Sequence, residues 1–362
     1  MPNDGHAYTE ARRHALRGLL AHADLSALLV TKPVNVRYLT GFTGSYGALL
    51  LLHDRTLFFT DGRYRHQAAT EVPGAEVVLA PDDLIGAVGG VLRSGGNDLG
   101  FEPAGLTWGE GQRLRAGLPG QAVLPAPPLV EELREVKDER ELGAMREAAR
   151  LGDEALGKLL AALREGLTER QVAVELELAL RRLGADGLAF DTIVAFGEQA
   201  AEPHHHPGDR PLRPGDWVKL DFGSRVDGYC ADMTRTLVLG RASQRQRDLY
   251  ELVRGAQAAG LDCLQSGVSG GEVDRACRQP IAEAGLGDSF PHPTGHGIGL
   301  EIHEAPRLRA GSRARVNAGS PVTVEPGVYL PGFGGVRIED LAVARPGGHE
   351  LLTTTPKELL EL

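Results

Sequence analysis

Asp221, Asp232, Glu325, Glu339 and His296 are the residues whose types and surroundings most call for a chemical explanation. In Val218-Lys219-Leu220-Asp221-Phe222-Gly223, alternation puts Asp221 on the face opposite Val218, Leu220 and Phe222. In Ala231-Asp232-Met233-Thr234-Arg235-Thr236, Asp232 shares a face with Thr234 and Thr236. The turn signal Asp227-Gly228 lies between these segments, so two antiparallel strands can hold Asp221 and Asp232 side by side. Like charges so placed repel unless a cation or a proton intervenes. His296 sits in Pro293-Thr294-Gly295-His296-Gly297-Ile298-Gly299, where three glycines let the backbone approach whatever the imidazole touches. Glu325 ends a strand in Thr323-Val324-Glu325-Pro326-Gly327, and Arg337 and Glu339 share a face in Val336-Arg337-Ile338-Glu339-Asp340. One acid near a strand end is ordinarily solvated or paired with a base, but four of them with an imidazole make a different pattern. Ionised, the four carboxylates carry −4 in apolar β surroundings, which two divalent cations would balance. Oxygen ligands with one nitrogen suit Mn²⁺ best, with Co²⁺, Fe²⁺ and Zn²⁺ also admissible. A pair of such ions activates water, polarises a carbonyl and holds both oxygens of a tetrahedral intermediate, which is the equipment for amide hydrolysis.

The rest of the composition bounds the molecule that must position them. A length of 362 residues, at roughly 150 per domain, implies about two domains. The 48 glycines and 22 prolines are dispersed without a repeat, which excludes collagen-like and low-complexity chains. Hydrophobic residues at 42% and charges at 24% are globular values and exclude disorder over most of the length. The net charge of −10, with no run of five basic residues, argues against a nucleic-acid partner. Cys230, Cys263 and Cys277 show no zinc-ligand spacing, so neither a disulfide framework nor a structural zinc is expected, and a reducing cytosol fits. No apolar signal core is read near the start, and stretches such as 48–52 are too short to span a bilayer. The expectation is a cytoplasmic protein without membrane contact.

The apolar runs Ala27–Val30, Ala48–Leu52 and Thr56–Phe59 read as buried strands, and Ala11–Ala23 as a helix before them, giving a small α/β domain. Pro125-Ala126-Pro127-Pro128 reads as a stiff break, which places the domain boundary at 125/126. Glu131–Leu160 is helical in period. Thr168 with Gln171, Ser243 with Gln246 and Ser269 with Glu272 read as capping boxes opening three further helices. Gly184, Gly267 and Gly285 read as helix stops. Trp217–Phe222, Tyr229–Leu239, Pro321–Glu325 and Gly335–Val343 read as strands, so the second domain is α+β.

In their order, Leu220-Asp221-Phe222-Gly223, Ala231–Thr236, Gly295–Gly299, Val324-Glu325-Pro326-Gly327 and Gly335–Asp340 resemble the five metal-ligand motifs of the pita-bread metallopeptidases. That resemblance covers about 130–362. Asn35–Phe42 and Phe59-Thr60-Asp61-Gly62-Arg63-Tyr64 resemble the N-terminal domain of the proline-specific branch, the Xaa-Pro aminopeptidases and Xaa-Pro dipeptidases (prolidases). The implied architecture is an α+β pita-bread catalytic domain at 126–362, preceded by a small α/β creatinase-like domain at 1–125. The resemblance implies that Asp221 chelates one metal, that Asp232 and Glu339 bridge both, and that His296 and Glu325 complete the second, with Glu325 also a proton shuttle. It matches His204 to a substrate-side histidine, and His292 and His303 to two others near the proline pocket that stabilise the tetrahedral intermediate. His205 and His206 are read as a solvated loop. Arg337 is expected to orient a metal carboxylate, and Arg307 to bind the free carboxylate of a dipeptide. Relatives of this kind are often homodimers, which implies a second copy as partner and a small proline-containing peptide as substrate. The compact first domain and Arg307 favour a dipeptidase over an aminopeptidase. A non-catalytic binding module and a creatinase-like, metal-independent hydrolase are the other readings, and the complete ligand set argues against both.

Overall fold

Ala27–Val30, Ala48–Leu52 and Thr56–Thr60 carry buried side chains on both faces, which explains apolar runs without alternation. They form the middle of a six-stranded sheet, in register Leu29 opposite Leu50 and Leu49 opposite Phe58. Glu76–Leu79 closes one edge; Leu99–Phe101 and then Val123–Pro125 extend the other, and these outer pairings are parallel. The computed structural model describes residues 4–93 and 98–362. Among them no helix is long and apolar enough to cross a membrane.

The chain divides into two compact units, one through Arg134 and one of Glu135–Leu362. The expected boundary at 125/126 is therefore displaced, and the reason is physical. Pro125 ends an edge strand, where a missing N–H is harmless. The helix Leu129–Glu135 then returns to the same core. Arg134 Nη1 donates to Asn35 Oδ1 (2.6 Å), and Asn35 Nδ2 donates to Glu102 (2.6 Å) and Glu131 (2.8 Å). The proline-rich stretch is a corner within the first unit.

The expected single helix over 131–160 is two, Leu129–Glu135 at the end of the first unit and Glu139–Ala162 in the second, because Asp138 and Glu141 form a capping box that starts the latter afresh. The boxes at Thr168, Ser243 and Ser269 are formed as the sequence predicts, and Gly184 ends its helix at φ 108°. Ile193–Phe196, Trp217–Phe222 and Met233–Val238 make one antiparallel sheet. Glu304–Leu308, Gly295–Gly297, Pro321–Val324, Asp340–Arg345 and Gly348–Leu351 make a second. The expected strand over 335–343 splits. Gly334–Arg337 pairs with Gly327–Leu330, whereas Asp340–Arg345 pairs with Pro321–Val324, so Glu339 sits where the chain passes between sheets. Leu156, Val172 and Leu176 pack on Val194, Val218 and Leu220; Val253, Val273 and Ile281 pack on Val322, Val324 and Val336. Helices thus cover the apolar strand faces and leave the faces that carry the acids turned the other way.

Candidate metal centre

Asp221 stands directly opposite Thr234 across the antiparallel pair, and Asp232 lies just ahead of Met233 at the end of that strand. Opposed residues share a face, so Asp221, Thr234 and Asp232 point together. Glu339 is drawn in from the second sheet: its N–H donates to Thr234 O (3.1 Å) and its Oε2 accepts from Thr234 Oγ1 (2.7 Å). The glycines beside His296 admit neighbouring backbone rather than a ligand. A Cβ on Gly295 would lie 1.9 Å from Thr323 O, and one on Gly297 1.9 Å from Ala305 O. His296 is thereby pressed between two strands. Its Nδ1 faces Gly297 O (3.0 Å), and because a carbonyl only accepts, Nδ1 carries the proton. Nε2 is left as an open lone pair, 3.5 Å from Glu325 Oε1 and 3.8 Å from Asp232 Oδ2. Ligand atoms of Asp232, His296 and Glu339 all lie within 4.8 Å of one another.

Burial first, then the Asp221 and Glu325 charges, push the Asp232 carboxyl well above the usual range. Burial and the Asp232 charge do the same to Glu339. Burial lifts Glu325 to about 8 against the pull of Arg337, and burial with the neighbouring His303 lowers His296 to about 3. Among the described residues, Asp221 Oδ1, Asp232 Oδ1 and Glu339 Oε1 are buried acceptors with no hydrogen-bond partner. Buried polar atoms normally have partners. Asp232 and Glu339, each with an orphaned carboxylate oxygen and clustered with the His296 imidazole, suit a divalent cation, so the residues present fit the metals that the motifs imply.

The surrounding shell was only partly visible in the sequence. Arg337 is 3% exposed and donates to Asp221 Oδ2, Thr234 Oγ1 (3.0 Å), the Tyr329 hydroxyl (2.7 Å) and Pro203 O (3.3 Å). It reaches Glu339 only through Thr234 and holds Asp221 directly. Arg235, which the alternation pattern hid, donates to Glu339 O and to Asp340 Oδ1 (2.7 Å). Thr323 Oγ1 accepts from His296 N (3.1 Å) and contacts Glu325 Oε1 (3.3 Å). Lys219, on the Asp221 face, is fully buried; burial and the Arg337 charge lower its ammonium to about 6.

His204 is exposed, close enough for its charge to lower both His292 and His303, whose first cause is burial. The His303 ring lies edge-on to His296 at 4.4 Å, and Arg307 stands opposite His296 across the strand pair. His292 is differently engaged from the expectation. Its Nδ1 faces Pro293 O (2.8 Å), so Nδ1 is protonated, and its Nε2 meets the Tyr329 hydroxyl (2.8 Å). Because Arg337 already donates to that hydroxyl, Tyr329 gives its own proton to His292 Nε2. Burial keeps this imidazole neutral by lowering it to about 4. His205 is not the solvated residue expected: it is buried, with Nδ1 2.6 Å from Glu202 and Nε2 2.9 Å from Glu169. Nothing in a run of three histidines marks the middle one, because Glu169 lies 36 residues away.

The chain is similar to known proteins over both of its units. Residues 143–346 match the metallopeptidase family M24, and residues 12–136 match the creatinase/prolidase N-terminal domain. The chain is 40% identical over 348 residues to the uncharacterized peptidase YqhT of Bacillus subtilis, covering 96% of this chain and 99% of that protein. Its fold is similar to that of an Xaa-Pro dipeptidase from Bacillus anthracis, with a TM-score of 0.95 at 38% identity, covering 98% of this chain and 100% of that one. It is also similar to an X-Pro aminopeptidase from Thermotoga maritima, with a TM-score of 0.88 at 32% identity, covering 94% and 98% of the two chains. A pita-bread unit that gathers acids and an imidazole from separate strands, behind a creatinase-type first unit, belongs on these grounds to metallopeptidase family M24.

Proposed function

We propose that this protein is a dinuclear-metal exopeptidase that hydrolyses the Xaa-Pro bond, with Xaa-Pro dipeptides as its preferred substrates. The observation that carries the reading is the buried cluster of Asp232, His296 and Glu339, whose ligand atoms lie within 4.8 Å of one another and whose carboxylates each keep an unpartnered oxygen. Asp221 would hold one ion, Asp232 and Glu339 would bridge two, and His296 and Glu325 would complete the second; the donor set favours Mn²⁺. Two such ions, when bound, polarise the scissile carbonyl and make water a nucleophile near neutral pH. The chain supplies the rest. Glu325, a carboxylate beside His296, is the group placed to take up and return a proton. His204 and His303, whose ring lies against His296, steady the oxyanion that forms on the scissile carbonyl oxygen. His292, with Nε2 engaged by Tyr329, lines the pocket instead of donating to substrate. Arg307 anchors the proline carboxylate.

Arg307→Ala is expected to raise KM for Leu-Pro about 10- to 100-fold, the worth of one charge-assisted hydrogen bond, while longer peptides are spared. Equal loss on both removes it as the anchor. A second expectation follows from the raised carboxyls. Cation binding must displace their protons, so it competes better as pH rises. The rise in Tm on adding Mn²⁺ to stripped protein should therefore widen from pH 6.5 to above 8, past the point where His296 titrates. A Tm increment that is flat or shrinks over that range contradicts the assignment.

The aminopeptidase reading is kept because the Thermotoga protein is similar over both units. Hydrolysis of Leu-Pro is to be compared with that of a longer peptide bearing proline second, after chelation and Mn²⁺ add-back. Cleavage of the dipeptide alone supports a closed dipeptidase site. Cleavage of the longer peptide moves the assignment to an aminopeptidase, and no cleavage of either revives the binding-module reading.

A further inference from the structure

We propose that His205 is a positioning residue: its ring, clamped between Glu169 and Glu202, locks the 200–208 segment so that the neighbouring His204 is presented to the pocket. This rests on the reading above, in which His204 acts on the substrate.

The clamp is built from buried parts. His205 is 8% exposed, Glu169 is 0% exposed, and both ring nitrogens face carboxylate oxygens. Glu169 is the first residue of the helix Glu169–Leu183, just after the Thr168 cap, where the helix dipole favours a negative charge. It also accepts from Phe196 N (2.8 Å) and Gly208 N (2.9 Å). One carboxylate thus ties together a helix start, a strand end, the far side of the loop and the imidazole. From beneath, Lys219 Nζ donates to Ala200 O (3.1 Å) and to Glu202 O, and Arg337 Nη1 donates to Pro203 O (3.3 Å). Lys219 and Arg337 come from the strands that carry Asp221 and lead to Glu339. The segment is therefore referenced to the same strands as the acids.

These anchors fall at residues 200, 202, 203, 205 and 208, and His204 among them is exposed. A segment held only for stability could be closed by turns. This one spends buried ionisable groups on holding the backbone either side of one outward-facing histidine. The residue before it, Pro203, is hydrogen-bonded to the same guanidinium that holds Asp221 and Tyr329, so His204 leaves the chain beside the candidate site. A catalytic group displaced by about 1 Å loses on the order of 100-fold in rate, which sets the scale of the effect.

The test is a double-mutant cycle on the full, Mn²⁺-loaded chain: His204→Ala, His205→Ala and both, reading kcat and KM on Leu-Pro, with metal content and Tm alongside. The expected result is that His205→Ala lowers kcat about 10- to 100-fold with KM changed less than threefold, and that it has no further effect once His204 is alanine. If the two losses multiply, or His205→Ala keeps full kcat, the clamp does not act through His204 and the proposal falls. If His205→Ala fails to fold or loses metal, Glu202→Ala, which removes only the solvent-side partner, is put through the same cycle and judged the same way. A wild-type chain inactive on Xaa-Pro peptides, or a His204→Ala variant with full kcat, overturns the underlying reading instead. That outcome is separate from an enzyme that needs His204 and is indifferent to His205.

Discussion

Glu339→Gln is expected to abolish Xaa-Pro hydrolysis, by about a thousandfold or more, in a protein that stays folded. The substitution keeps shape and volume. The side-chain oxygen still accepts from Thr234 Oγ1, and the backbone N–H to Thr234 O is untouched. What changes is the orphaned Oε1, replaced by an amide that cannot ligate a cation from that position. The fold should not suffer, because the Glu339 carboxyl, pushed up by burial and by Asp232, is one the metal-free fold prefers neutral. Stripped of metal at pH 8, the variant should melt at or above the wild-type temperature, since the amide spares the cost of keeping a buried carboxyl protonated. Activity, metal content and Tm of the stripped protein check the three parts. Undiminished activity removes the bridging role, and a collapsed fold means that the carboxylate serves structure.

The second large effect is at Arg337. Arg337→Met should lower kcat at least about 100-fold and destabilise the protein by about 3–5 kcal/mol, the range for removing one partner of a buried, hydrogen-bonded charge pair. Its guanidinium is 3% exposed and satisfies Asp221, Thr234, Tyr329 and Pro203 together. Without it Asp221 loses its counter-charge, Tyr329 loses the donor that directs its proton to His292, and the 200–208 segment loses an anchor. Arg337→Lys should not rescue activity, because an ammonium cannot reach these acceptors as a planar fork does. Urea unfolding and steady-state kinetics measure both parts. A stability change below about 1 kcal/mol, with activity kept, would show that the pocket does not depend on this cation.

Why these two residues matter also shows what could and could not be read from the chain. Asp221, Asp232, His296, Glu325 and Glu339 were conspicuous because acids interrupt apolar strands, and a strand's period of two states which face they take. The strands 27–30, 48–52 and 217–222 were legible residue for residue, since turn formers bound each apolar run. The capping boxes at Thr168, Ser243 and Ser269 were legible because a cap is local chemistry.

What was hidden is long-range. Arg337 shares a face with Glu339 by alternation, yet the chain leaves one sheet for another between them, and its carboxylate partner is Asp221, 116 positions away. Tyr329 reads as an ordinary hairpin residue until it is placed between Arg337 and His292. His205 reads as one of three loop histidines, because its buried partner enters from another helix. The boundary at Pro125 failed for a related reason. Proline marks a stop in hydrogen bonding, and at a sheet edge that stop does not end the domain.

A site that works with two metal ions must couple metal stoichiometry to turnover. The chelated, full-length chain is to be titrated with Mn²⁺ while bound metal and Leu-Pro hydrolysis are followed together. The expected result is no turnover in the stripped protein, and activity that rises to a plateau as two equivalents bind. Full activity without metal, or saturation of binding and activity at one equivalent, would contradict it.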